Sequence, residues 1–315
     1  MTTTPLSRPD WLARALNGDR RALARCITWI ESHDVALSEP LGAMRVHRRE
    51  GPGQPHVIGV TGPPGAGKST LVNQWIRSLR DQGRTVAVLA IDPSSPFSGG
   101  AILGDRIRME QHTADPGVYI RSLSSRGHLG GLSASTAEVV DLLDGVGFDV
   151  VLLETVGVGQ SELTVMEVAD TVAVVLTPES GDAIQAMKAG LMEIADVFVV
   201  NKSDRPGADR WVRELEHAVR LSERPYKPPV LRVVATEGQG IAELVACAEA
   251  HLGWCKAEGN PTWQRRRGDA AVRLTLDRVA HAARRRARQT LHSEHIEEDL
   301  RAGRISPQDA ARRLS

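Results

Sequence analysis

Apolar positions along this chain fall into two patterns that alternate. Short, nearly continuous runs occur at 56–61, 85–91, 118–120, 149–154, 171–176, 196–200 and 230–234. They are rich in Val, Leu and Ile, as strands buried on both faces must be. Between them, residues 68–81, 134–145, 183–194, 208–222 and 240–252 carry apolar residues at helical spacing. Strand and helix in alternation predict an α/β fold, a mostly parallel sheet with helices on both faces. Such sheets bind ligands beyond the carboxyl ends of their strands. The chemistry is therefore sought just after each run.

The two ends break this rhythm. Leu12, Leu16, Leu23, Ile27 and Ile30 form a helical stripe ahead of the first strand, and Gly51-Pro52-Gly53-Gln54-Pro55 closes it off. A helical N-terminal extension over 1–52 follows. Its polar side carries Asp19, Arg20, Arg21 and Arg25, either a solvated face or a place for an acidic partner. Beyond residue 257, Gly259-Asn260-Pro261 interrupts the chain. Val272, Leu276, Val279, Ala283, Ala287 and Leu291 then make a long stripe, and Ser306-Pro307 marks the start of a short last helix. An arm with such a face must pack it on the main body or on another subunit. The division is thus 1–52, 53–256 and 257–315.

Charge and cysteine content narrow the class. Lys plus Arg and Asp plus Glu both number 39, so the formal net charge is zero. Without a basic field, nucleic acid is not an expected partner. The cluster at Arg284, Arg285, Arg286 and Arg288 is followed by Glu294, Glu297, Glu298 and Asp299, which reads as a solvated or salt-bridging face. Cys26, Cys247 and Cys255 are scattered, more in keeping with small core residues than with a disulfide or metal site. The amino terminus lacks a leader pattern, and no apolar run approaches the roughly 20 residues of a membrane span. The expectation is a soluble cytoplasmic protein that does not engage a membrane.

The first strand run leads into Gly62-Pro63-Pro64-Gly65-Ala66-Gly67-Lys68-Ser69-Thr70. This is the G-x-x-x-x-G-K-[ST] phosphate-binding loop, in the strand–loop–helix context that it requires. Its backbone N–H groups and the following helix N-terminus suit a polyphosphate. Lys68 can reach the β- and γ-phosphates, and the Ser69 hydroxyl can ligate Mg²⁺. Carboxylates end other strands. Asp92 follows the second run and leads into a Pro/Ser/Gly-rich loop that also holds Asp105; both are candidates for the Mg²⁺ shell. Glu154 ends the fourth run, where P-loop proteins place the carboxylate that orients Mg²⁺. Gly157, three residues on, can turn its N–H toward the γ-phosphate and sense it. Gln160 can orient the attacking water or be an ordinary surface amide. Asp182, Gln185 and Lys188 follow the fifth run, as a functional loop or simply a helix start.

Asn201-Lys202-Ser203-Asp204 follows the sixth run. The Asp204 carboxylate can accept from the ring N–H and the exocyclic amine of guanine, a pair that adenine lacks. Asn201 can reach the imidazole edge of the purine, and the Lys202 stem can cover the base. Ala235, Thr236 and Glu237 sit where a backbone N–H can meet the guanine carbonyl. GTP is favoured over ATP.

Together GPPGAGKST, AIDPSSPFSGGAILGDRIRM, ETVGVGQSE and NKSD resemble the MeaB/ArgK-type G proteins, and the likeness spans nearly the whole chain. The resemblance implies a P-loop GTPase (G) domain over 53–256 and low intrinsic hydrolysis of GTP to GDP, stimulated by a partner. That partner is an adenosylcobalamin-dependent acyl-CoA mutase, methylmalonyl-CoA mutase or a relative, with an adenosyltransferase as a further one. It also implies GTP-gated cobalamin delivery, protection or reactivation of the mutase, and a homodimer joined through the C-terminal arm. Lys68, Ser69, Asp92, Asp105, Glu154, Asn201 and Asp204 match the family's site positions, and 177–188 matches a switch loop facing the mutase. An older label, transport-system kinase or ATPase, is disfavoured by NKSD. The alternatives are a metallochaperone GTPase of the same broad group, which calls for a Cys/His delivery cluster, and a P-loop kinase, which calls for an acceptor site.

Overall fold

The computed structural model describes residues 7–32, 54–92, 112, 114–124, 131–155, 168–178, 191–257, 260–293 and 295–314. Seven strands build one sheet: β1 (His56–Thr61), β2 (Val86–Asp92), β3 (Val118–Ser124), β4 (Val150–Thr155), β5 (Thr171–Leu176), β6 (Val197–Asn201) and β7 (Val230–Val233). Their order is β3-β2-β4-β1-β5-β6-β7, and every pairing is parallel. The parallel sheet expected from the apolar runs is therefore present. Parallel neighbours need long crossovers, and these place helices over both faces. β1 lies at the centre, so the loop that follows it opens in the middle of the carboxyl edge.

Alternation along the strands separates two cores. Ile58, Val60, Val88, Leu152, Val175 and Val199 face α3 (Lys68–Asp81) and α7 (Ile241–Lys256). Val57, Leu89, Val151, Val174 and Phe198 face the other way. There they meet α4 (Gly131–Val146), α6 (Ala208–Leu221) and the N-terminal pair α1 (Arg8–Leu16) and α2 (Arg20–Glu31). With aromatics at only 3% of the chain, these cores rest on aliphatic residues, with Trp75 the largest fully buried side chain.

The N-terminal stripe is not one helix. The chain breaks at Asn17-Gly18, and Asp19 restarts it by accepting from the N–H groups of Arg21 and Ala22. Leu16 and Leu23 lie seven residues apart, two helical turns, so the periodicity runs in phase through the turn and hides it. Both helices share the sheet's core.

At the carboxyl end, α8 (Pro261–Ser293) is long, and α9 (Ile296–Arg301) and α10 (Pro307–Leu314) fold back on it. The Ser306 hydroxyl accepts from the N–H of Asp309 at 3.1 Å, as its N-cap position predicts. α8 touches α4, through Arg278–Glu138 at 3.1 Å among others. Leu274 is buried, while Val272, Leu276 and Val279 are 60–62% exposed. The last three are part of the stripe foreseen from sequence. Among the described residues, no helix is long and apolar enough to cross a membrane. A short helix, α5 (Leu191–Ile194), precedes β6.

The amino edge of the sheet holds a buried polar cluster. The Thr171 hydroxyl lies 2.8 Å from His56 Nε2 and 2.8 Å from His251 Nδ1, and all three residues are buried. A single hydroxyl hydrogen can serve only one of the two rings. Burial first, then the nearby charges of Arg84, His251 and Lys256, pushes the His56 pKa down to about 3. The unfolded chain binds this proton below about pH 6.5, whereas the folded one does not. Stability from this site is thus complete above that pH and is lost as pH falls toward the folded value. Between pH 7 and pH 5 the loss is about 2 kcal/mol. Denaturant melts at the two pH values check this, and His56→Gln flattens the difference.

Candidate nucleotide site

β1 ends in Thr61, and the loop that follows is shaped by its glycines. Gly62 has φ 141°, and a Cβ there would lie 2.1 Å from the Val175 carbonyl oxygen. The loop thus runs against the backbone of β5, too close for any side chain. Gly67 has φ 86°, and a Cβ there would lie 2.4 Å from Asn201 Nδ2. α3 starts directly after it. No side chain caps that helix and its first turn holds no acidic residue. Its N-terminal amides and the positive end of its dipole therefore face the loop with no protein carboxylate supplied. That is the arrangement suited to a phosphate.

Lys68 and Ser69 form the first turn of α3, and both are buried. The Lys68 ammonium donates to the carbonyls of Gly62 (2.7 Å) and Pro63 (3.1 Å), which holds it over the loop. The Ser69 hydroxyl donates to Glu154 Oε1 at 2.6 Å. Glu154 stands opposite Val60 of β1 and Ala90 of β2 and is 2% exposed. The hydroxyl and the carboxylate, foreseen separately, are thus in contact. Hard oxygen donors of this kind fit Mg²⁺. The backbone of Asp92 ends β2, opposite Ser124. Its side chain lies outside the described residues, as do Asp105, Gly157, Gln160, Asp182, Gln185 and Lys188.

The N-K-x-D segment follows β6, and one side chain ties it to the phosphate loop. Asn201 Nδ2 donates to the Ala66 carbonyl at 2.8 Å, and Asn201 Oδ1 accepts from the Ala235 N–H at 3.1 Å. Asn201 is 2% exposed. It therefore joins three stretches that the sequence offers far apart: the phosphate loop, β6 and the turn after β7. The same contact bears on which N–H of that turn can meet a base carbonyl. The Ala235 N–H is taken by Asn201, and the Glu237 N–H by Val234, so of the three residues expected there Thr236 is the one placed to offer its N–H to a base carbonyl. Lys202 adopts φ 57°, a left-handed conformation that is costly for a side chain bearing a Cβ. The Ser203 hydroxyl donates to the Val200 carbonyl at 2.5 Å, and its backbone N–H donates to the Val233 carbonyl at 3.1 Å. These bonds hold the turn in place and leave Asp204 exposed and Lys202 half-buried.

Two features were not read from sequence. The Thr155 hydroxyl donates to that of Thr61 at 3.1 Å, and neither is exposed. This bond joins the residue before the phosphate loop to the residue after Glu154. The available signal was a threonine ending the first apolar run and another directly after the fourth. The second feature is the Trp211 indole N–H, which donates to the Pro178 carbonyl at 3.0 Å. It fixes the exit of β5 against α6.

The comparisons agree with this geometry. Residues 23–289 match the family described as methylmalonyl Co-A mutase-associated GTPase MeaB. A Pyrococcus horikoshii protein, named as a GTPase on a provisional footing, is 46% identical over 264 residues, covering 82% of this chain and 81% of its own length. The GTPase ArgK of Escherichia coli is 38% identical over 243 residues, 74% of this chain and 72% of its own. Among solved structures, one titled as a LAO/AO transport system kinase superposes with TM-score 0.69 at 27% identity. That match covers 100% of this chain and 98% of the other.

Proposed function

Because this chain belongs to the methylmalonyl-CoA mutase-associated GTPase (MeaB) family and so hydrolyses GTP, we propose that it is a Mg²⁺-dependent switch serving a cobalamin-dependent acyl-CoA mutase. In this reading GTP gates adenosylcobalamin delivery and the protection or reactivation of the mutase. Residues 53–256 carry the nucleotide cycle, and 257–315 join two copies.

The observation that carries the nucleotide part is Asn201, whose amide ties the phosphate loop to the turns around the base. Binding is then one event across both ends of GTP. Residues 62–70 and the α3 amides hold the phosphates, with the Lys68 ammonium turning from the loop carbonyls to the β- and γ-oxygens. Asp204 accepts from guanine, Lys202 covers the base, and the Thr236 N–H meets its carbonyl. Water attacks the γ-phosphorus in line, the β–γ bridging P–O bond breaks, and GDP and phosphate leave. Positioning and charge stabilisation supply most of the catalysis. Ser69 and Glu154, with Asp92 and Asp105, are the residues that would hold Mg²⁺, which neutralises charge on the phosphate oxygens when bound.

The switch part rests on placement. Gly157 follows Glu154 in the chain and is assigned to sensing the γ-phosphate. Asp182, Gln185 and Lys188 follow β5 and are assigned to the partner. The exposed Val272, Leu276 and Val279 on α8 support pairing of two copies through the arm. The mutase itself is supported by the family's description.

Steady-state GTP hydrolysis with and without a cobalamin-dependent acyl-CoA mutase tests the proposal. Turnover is expected to be slow alone and to rise at least about tenfold with the partner, as charge-completing partners do for other GTPases. A rate indifferent to the mutase at saturating concentration removes the mutase from the account.

A further inference from the structure

The exposed side of the α1–α2 pair carries guanidinium and indole groups in alternation. Arg25 of α2 lies 4.6 Å from the Trp11 ring centre and 5.3 Å from that of Trp29. Arg14 lies 5.2 Å from Trp11, and Arg8 lies 5.5 Å from Trp29. The row is therefore Arg14, Trp11, Arg25, Trp29, Arg8. Both indoles are half-buried and rest on the core beneath, while the three arginines are exposed. In a chain with only 3% aromatic residues, two tryptophans on one small face are a concentrated use of a scarce residue type.

The central arginine differs from its neighbours. Arg14 is paired with Asp19 at 2.5 Å. Arg25 contacts the two rings, and among the described residues no carboxylate or carbonyl accepts from it. A guanidinium held between indoles keeps its N–H edge outward and has already lost much of its freedom. It is pre-organised to take a carboxylate in a two-bond fork. Half-buried tryptophans around an arginine are also the composition in which protein interfaces concentrate their binding energy.

We propose that this face docks an acidic segment of a partner protein, with one carboxylate on Arg25 and the segment's apolar atoms over Trp11 and Trp29. Phosphates and stacked bases would use the same groups. However, a phosphate backbone calls for a run of cations along its track; here Arg14 is already paired with Asp19, and the fork of Arg25 suits a single carboxylate. The face is carried by helices that pack on α4 and β3. The proposal stands independently of the mutase assignment.

The test follows the indole N–H signals of the intact chain by NMR while oligo-glutamate is added, with oligothymidylate as a parallel probe. The Trp11 and Trp29 signals move saturably with oligo-glutamate at low salt, and the effect fades as salt screens it. Arg25→Ala weakens the binding about tenfold. Arg25→Lys weakens it too, because an ammonium neither forks nor stacks in the same way. GTP hydrolysis is unchanged in both variants. Indole signals that stay still, or that move equally in Arg25→Ala, overturn the proposal. Movement with oligothymidylate alone overturns it in favour of nucleic acid.

Discussion

Lys68→Ala lowers single-turnover GTP hydrolysis by about 10²–10³-fold. The ammonium is already placed at the mouth of the loop, 2.7 Å from the Gly62 carbonyl and 3.1 Å from that of Pro63. It therefore has a short distance to travel to a phosphate oxygen and little rotamer freedom to lose. Negative charge grows on the β–γ bridging oxygen as its bond to phosphorus breaks, and a buried cation fixed nearby stabilises that change most. The alanine variant also removes the cation that the β- and γ-oxygens gain on binding, so nucleotide affinity falls as well. Rapid-quench hydrolysis at saturating GTP separates the rate from the affinity. An unchanged rate would take Lys68 out of the chemistry.

Asn201→Ala is the second large effect, and it acts through a different route. The substitution leaves the Ala66 carbonyl and the Ala235 N–H without their partner, in an interior where Asn201 is 2% exposed. Two buried polar groups left unsatisfied cost about 2–5 kcal/mol. The cost falls on the contact between phosphate loop and base loop, so GTP affinity drops with fold stability. Asn201→Asp discriminates further. The carboxylate can still accept from the Ala235 N–H, but it faces the Ala66 carbonyl as one acceptor against another. Chemical denaturation and GTP titration of both variants check this. Loss of affinity without loss of stability would mean that Asn201 serves only the base.

The strand–helix alternation made the sheet legible in the sequence, because buried parallel strands are short apolar runs and little else looks like them. The phosphate loop and the N-K-x-D turn were legible because each is a contiguous stretch whose spacing has a mechanical reason. What escaped was contact between such stretches. Asn201 and Ala66 are 135 positions apart, Thr61 and Thr155 are 94 apart, and neither pair shows in any local pattern. The His56–Thr171–His251 cluster is hidden for the same reason. The break at Gly18 was missed because a seven-residue apolar spacing reads through a turn. Which N–H of the Ala235–Glu237 turn is already taken was hidden too, because a sequence position says nothing about the acceptor its N–H has.

The central claim is that guanine nucleotide read by Asp204 is the signal a cobalamin-dependent mutase responds to. In Asp204→Asn the side-chain amide donates where the carboxylate accepted, so it suits the carbonyl of xanthine instead of the amine of guanine. The decisive measurement is mutase-stimulated hydrolysis by this variant with GTP and with xanthosine triphosphate. The account predicts that stimulation is lost with GTP and recovered with xanthosine triphosphate. Stimulation that persists with GTP, or that appears with neither nucleotide while both are bound, would contradict it.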